Sequence, residues 1–129
     1  MKFMRFWWGF GVFLVLAALV VCLVPFQETP GTFKISDKFS HLAGHGALAL
    51  YFAGLVPRRR WWRIFVFLLL FGAAIEFAQY AMQVGREGDA RDVIANVAGA
   101  VLGLLLARLG MEGWPEFVER MLGQRRPAQ

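Results

Sequence analysis

From Phe6 to Phe26 the chain carries no charged residue. A run of that length matches the roughly 20 apolar residues that carry a helix through the hydrocarbon of a bilayer. Backbone amides and carbonyls at that depth have no water to bond, so only a helix or a closed barrel satisfies them. Three further stretches of similar length follow, from about Asp37 to Val56, Trp61 to Val84, and Asp92 to Leu109. With 58% of 129 residues hydrophobic and a mean hydropathy of +0.51, the chain is too apolar for a soluble domain of its size. The expected fold is therefore all-α: a polytopic membrane protein with a four-transmembrane-helix bundle over residues 1–110. Residues 111–129 form a separate interfacial tail.

Two features of the first run bear on whether it is retained. Lys2 and Arg5 ahead of an apolar segment resemble a signal peptide, but the run is longer than an ordinary signal core and no small-x-small cleavage site follows it. Leu19-Val20-Val21-Cys22 is a poor lipoprotein box because Val21 is not small. An uncleaved anchor is expected. Cys22, the only cysteine, cannot form an internal disulfide and reads as a small packing residue. In the tail, Trp114, Phe117, Val118, Met121 and Leu122 recur at helical spacing behind Pro115, which suits a helix's first turn. The pattern predicts a short amphipathic helix on the cytoplasmic membrane surface.

The net charge of +5 would suggest nucleic acid in a soluble protein. Here the charges fall in short clusters between apolar runs, so they speak of topology, and no nucleic-acid partner is expected. Lys2, Arg5, Arg58, Arg59, Arg60, Arg63, Arg108, Arg120, Arg125 and Arg126 fall on one side of a four-span threading, with Glu112, Glu116 and Glu119. Lys34, Lys38, Arg86 and Arg91 fall on the other, with Glu28, Asp37, Glu76, Glu87, Asp89 and Asp92. Ten bases against three acids, and four against six, leave +7 and −2, which together make the stated +5. The positive-inside rule then places both termini in the cytoplasm, with the Gln27–Ser36 and Gly85–Arg91 connections outside.

The polar residues inside the apolar stretches converge under that threading. Asp37, Lys38 and His41 begin the second helix at its outer end; Asp92 and Asn96 begin the fourth. At about 100° per residue, Asp37, His41 and Gly44 share a face, as do Asp92, Asn96, Gly99 and Gly103. Glu76, with Gln79, Tyr80 and Gln83 on its face, lies eight residues before Val84, about 12 Å below the outer end of the third helix. Arg86 follows just beyond. A carboxylate in hydrocarbon needs a partner, and Lys38, Arg86 and protonated His41 are the cations at that depth. The expected binding set is Asp37, Lys38, His41, Glu76, Gln79, Arg86, Asp92 and Asn96, in one outward-facing pocket. If a reaction occurs there, Glu76, His41 and Asp92 are the catalytic candidates.

Each residue also has a plain structural reading: Asp37 and Asp92 as helix-start acids, Asn96 as interhelical hydrogen-bond glue, and Gly99-x-x-x-Gly103 as a packing seam, with Gly44, Gly46 and Ala47 opposite it. Tyr80, Trp7, Trp8, Trp61 and Trp62 read as an aromatic interfacial belt. His41 and His45 have the i, i+4 spacing of helical metal ligands, but spacing alone is weak evidence, and neither metal nor cofactor is expected. No Gly-x-Ser-x-Gly elbow and no phosphate-binding glycine loop appears.

The ordered set Asp37-Lys38-x-x-His41, Glu76-x-x-Gln79, Arg86 and Asp92-x-x-x-Asn96-x-x-Gly99 resembles the VanZ-like family of small bacterial integral membrane proteins, over about Ser36 to Leu106. His45 departs from the family pattern, which more often has an aromatic there. The resemblance implies a four-helix protein of the bacterial cytoplasmic membrane. It also implies a link to glycopeptide and envelope-stress resistance, since the family takes its name from a member tied to teicoplanin resistance. The expected partners are the bilayer and a lipid-linked envelope precursor or other amphiphile, bound at the pocket. The alternatives are a membrane-embedded enzyme acting on a lipid-linked phosphate substrate and a structural accessory protein.

Overall fold

The computed structural model describes residues 2–23, 33–82 and 90–124, with the side chains at 33–38, 82, 90, 91 and 124 outside that description. Among the described residues there are five α-helices: α1 Met4–Leu23, α2 Phe33–Ala53, α3 Trp61–Met82, α4 Ala90–Leu106 and α5 Trp114–Gln124. A short turn at Arg58–Arg60 joins α2 to α3, and a single wide turn at Ala107–Met111 leads α4 toward α5. Among the described residues, three segments are long and apolar enough to cross a membrane: Met4–Leu23, Arg58–Ala81 and Asp92–Met111. The makeup is that of a multi-pass membrane protein. The sequence reading gave α2 equal standing, and here the structure differs. Lys34, Asp37, Lys38, Ser40, His41 and His45 make α2 too polar to qualify by composition. It is instead the inner helix, packed most extensively on α4 and touching α1 and α3 as well.

The α2–α4 seam explains the glycine spacing. A Cβ at Gly99 would collide with the Leu42 carbonyl, and one at Gly103 with the Gly46 carbonyl and the Ala49 methyl. Only bare backbone lets the two helices approach this closely. Gly46 completes the seam, 3.2 Å from the Gly99 carbonyl at its own would-be Cβ. Gly44 and Ala47, expected to share this role, face outward, and a Cβ on Gly44 would touch nothing. Being two residues from Gly46, Gly44 is rotated to the far side of the helix.

One end of the bundle is closed by aromatic side chains that cap helix ends. The Trp61 indole N–H donates to the carbonyls of Ala53 (3.2 Å) and Val56 (3.0 Å), where the end of α2 leaves acceptors without helical partners. The Tyr51 hydroxyl donates to the Trp7 carbonyl at 2.6 Å, joining α2 to α1. The Trp114 indole donates to the Tyr51 carbonyl at 3.2 Å and packs on Gly54, which has no room for a side chain. Trp7 meets Trp114 edge-on, with ring centroids 5.3 Å apart. The expected aromatic belt is thus divided. Tyr80, Trp62 and Trp8 are exposed, as a belt requires, whereas Trp61 is buried and Trp7 is an internal fastener.

The tail forms the expected amphipathic helix. Gly113, at φ 68°, sits in the left-handed region that glycine tolerates, and its carbonyl accepts from the amides of Glu116 and Phe117. Trp114 and Pro115 turn inward, while Phe117, Met121 and Leu122 remain exposed. Glu119 accepts hydrogen bonds from the backbone amides of Lys2 (2.9 Å) and Phe3 (3.1 Å) and from the Trp7 indole (2.8 Å). Arg58 pairs with Glu112 at 2.6 Å. The starts of α1 and α3, the end of α2 and all of α5 therefore meet at one end, the basic end of the charge pattern. Helix α1 stands at the periphery: 6% of its spanning window is buried, against 28% for each of the other two.

Candidate polar site within the helix bundle

Away from the aromatic end, three helices bring titratable groups together. His41 comes from α2, Glu76 from α3 and Asp92 from the first turn of α4. One ligating atom of each lies within 4.8 Å of those of the other two. His41 and Asp92 are 5% and 4% exposed, and Glu76 is half-buried.

Asn96 fixes the imidazole. Its Oδ1 lies 3.1 Å from His41 Nδ1; a carboxamide oxygen only accepts, so Nδ1 carries the proton and donates. The other ring nitrogen, Nε2, is then the acceptor of the neutral ring. Asn96 stands one helical turn beyond Asp92, so α4 supplies both an acid of the cluster and the group that orients the histidine. Sequence spacing put Asp92 and Asn96 on one face. It did not reveal that Asn96 reaches His41 Nδ1.

His45 occupies the next turn of α2. Its Nδ1 donates to the His41 carbonyl at 3.2 Å, which leaves Nε2 as an acceptor. Nε2 of His45 and Nδ2 of Asn96 are both buried without a hydrogen-bond partner. Both press on the same spot: a Cβ at Gly72 of α3 would lie 2.7 Å from Asn96 Nδ2 and 3.1 Å from His45 Nε2. A donor and an acceptor thus converge beside a glycine, with neither satisfied. Orphaned buried polar atoms are uncommon because each costs about 1–3 kcal/mol. The metal-type group among the described residues is His41, Glu76 and Asp92. His45 is not in it, so the i, i+4 histidine pair does not act as a pair. Nothing in the sequence pattern singled out Gly72.

Gln79, buried on α3, gives its amide nitrogen to the Cys22 carbonyl at 2.7 Å. That carbonyl lies in the last turn of α1, where helical acceptors lack partners, so Gln79 ties α1 to the bundle near the site. Tyr80, expected on the Glu76 face, is 76% exposed and points away from the cluster. The side chains of Asp37 and Lys38, four and three residues before His41, lie outside the described ones, as do Gln83 and Arg86 altogether.

The VanZ/LLP1 family profile matches residues 4–111. The chain belongs to the VanZ/LLP1 family. The match takes in α1 as well as the Ser36–Leu106 core that carried the resemblance, and it stops just before the Gly113 turn into α5. Within this VanZ-like region lie all three members of the polar cluster, together with Asn96 and Gly72. No curated protein and no solved structure matches the chain.

Proposed function

We propose that this VanZ-like protein crosses the bacterial cytoplasmic membrane four times and binds the polar head of an amphiphilic envelope component at an outward-facing pocket. The single observation that carries this reading is the His41–Glu76–Asp92 cluster, drawn from three helices into a space 4.8 Å wide. Polar groups gathered at membrane depth are costly to maintain and mark sites of function. The unsatisfied pair beside Gly72 supports the same reading, because a hydroxyl-bearing headgroup offers a donor and an acceptor at once. Asp37, Lys38, Gln79 and Arg86 complete the binding set, with Arg86 and Lys38 taking an anionic group such as phosphate. Helix α2 counts as the fourth span, with His41 and His45 buried against the rest of the bundle.

The proposal includes both termini, the Arg58–Arg60 turn and α5 in or on the cytoplasmic side, as the +7 and −2 charge split requires. In a Cys22→Ala background, cysteines at Thr32 and Glu87 react with a membrane-impermeant thiol reagent in spheroplasts, and cysteines at Arg59 and Arg125 do not. Labelling at Arg59 overturns the orientation and, with it, the outward pocket.

One observation favours a second reading, a membrane-embedded enzyme acting on a lipid-linked phosphate substrate. Asn96 holds His41 Nδ1 at 3.1 Å, the kind of support that fixes a general base in one tautomer. Turnover of such a substrate by the purified protein decides for it. The bound amphiphile itself is identified by mass spectrometry of the lipids that co-purify with the full chain.

A further inference from the structure

At the basic end, far from the polar cluster, α1 stands away from the bundle and leaves a groove of about 590 Å³. Val12 and Leu16 of α1 form one wall, Phe52 and Leu55 the floor, and Ile64 and Phe67 of α3 the other wall. Its volume falls within the roughly 300–1,000 Å³ of small-ligand sites. Most of its lining is apolar, and it lies between α1 and α3, two of the helices long and apolar enough to cross a membrane.

The groove is not apolar throughout. Arg60 and Arg63 line its rim at the start of α3. Both are exposed, and neither makes an ion pair with a described residue. Their neighbour Arg58 is committed to Glu112 at 2.6 Å, while the Arg63 guanidinium lies over the Trp62 ring, 5.4 Å from its centre. Phe67 lies seven residues past Arg60, about 10 Å deeper along α3. Two cationic forks thus stand at the polar margin, with an apolar trough running inward beneath them. Guanidinium groups bind phosphate through paired hydrogen bonds.

We propose that this groove binds an anionic glycerophospholipid of the leaflet at the basic end, with its phosphate on Arg60 and Arg63 and one acyl chain along α3. The site is separate from the polar cluster and does not depend on the function assigned to it.

The test is the melting temperature of the purified full chain in detergent, titrated with phosphatidylglycerol, phosphatidylcholine or glycerol 3-phosphate. Phosphatidylglycerol raises it and the other two do not. Replacing both rim residues, Arg60→Gln with Arg63→Gln, weakens half-saturation roughly tenfold or more, as loss of charge-assisted hydrogen bonds demands. Arg59→Gln, equally exposed but off the groove, leaves it unchanged. Val12→Trp fills the trough and removes the response while the lipid-free melting temperature stays put. Equal shifts from phosphatidylcholine, a full shift from glycerol 3-phosphate alone, or equal losses in Arg59→Gln and the double variant overturn the proposal. So does a chain that dimerises through α1 and is not dissociated by phosphatidylglycerol, which makes a second copy the occupant.

Discussion

The two ends of the bundle use polar atoms in opposite ways. At the basic end the donors are neutral or fixed: the indoles of Trp61 and Trp114 and the hydroxyl of Tyr51 each reach a backbone carbonyl. Glu119 collects two backbone amides and an indole. These bonds close helix termini that would otherwise be left open. At the other end side chain meets side chain, three titratable groups crowd together, and two buried atoms beside Gly72 find no partner. The first arrangement lowers the free energy of the fold. The second costs stability, and proteins keep such arrangements where a ligand or a reaction makes use of them.

The contrast breaks most visibly at Trp61. Trp61→Ala removes a buried ring and both carbonyl bonds, and should cost about 3–5 kcal/mol in reversible detergent unfolding. A loss below about 1 kcal/mol would mean that the aromatic end does not fasten the helices. Gly72→Ala sharpens the other side. Its methyl group forces Asn96 and His45 apart, an overpacking cost of about 1–3 kcal/mol, with a larger effect on ligand retention than on melting. If the variant binds the co-purifying amphiphile as well as wild type does, the unsatisfied pair has no part in the site.

The smallest effect is at Glu119. Partial desolvation pushes its carboxyl upward, but the bonds from the Lys2 amide, the Trp7 indole and the Phe3 amide outweigh it and hold the group below its ordinary value of 4.5. A depressed folded-state value means the contribution is fully present above the ordinary value and is lost as pH falls through the lowered one. Amide exchange in α5 should therefore quicken below about pH 4.5, and Glu119→Gln should abolish that dependence. Exchange in α5 that is equally pH-sensitive in both proteins would show that another group docks the helix.

Sequence alone carried α1, α3 and α4 because hydrophobic length is a strong signal, and α2 was placed despite its polar half. Each of the four long helices was found within a few residues of its bounds, and the α5 stripe was plain. The charge pattern also foresaw which helix ends meet. What escaped was rotational. The Gly99–Gly103 seam was legible and Gly46 was named opposite it, yet Gly44 and Ala47, named with it, face outward. Of the eight residues expected to bind, the structure brings His41, Glu76, Asp92 and Asn96 together, while the side chains of Asp37, Lys38 and Arg86 lie outside the described residues. The Asn96–His41 pairing and the place of Gly72 were hidden, because they depend on how far each helix is rotated about its own axis. The turn of Gln79 toward Cys22 was hidden for a related reason: it depends on where α1 docks, and an apolar helix without polar landmarks leaves no sign of that in its sequence.

The central claim is that the polar cluster serves a ligand and not the fold, and Glu76→Gln tests it most directly. The exchange keeps the side chain's shape and removes its acid function. The wild-type and variant proteins are purified identically, their bound envelope amphiphile is quantified by native mass spectrometry, and their melting temperatures are compared. The account predicts a folded variant, melting within a few degrees of wild type, that has lost the amphiphile. A variant that retains the amphiphile in full contradicts it. So does one that fails to fold, together with a misfolded Glu76→Ala, because the cluster would then be a structural element of the bundle.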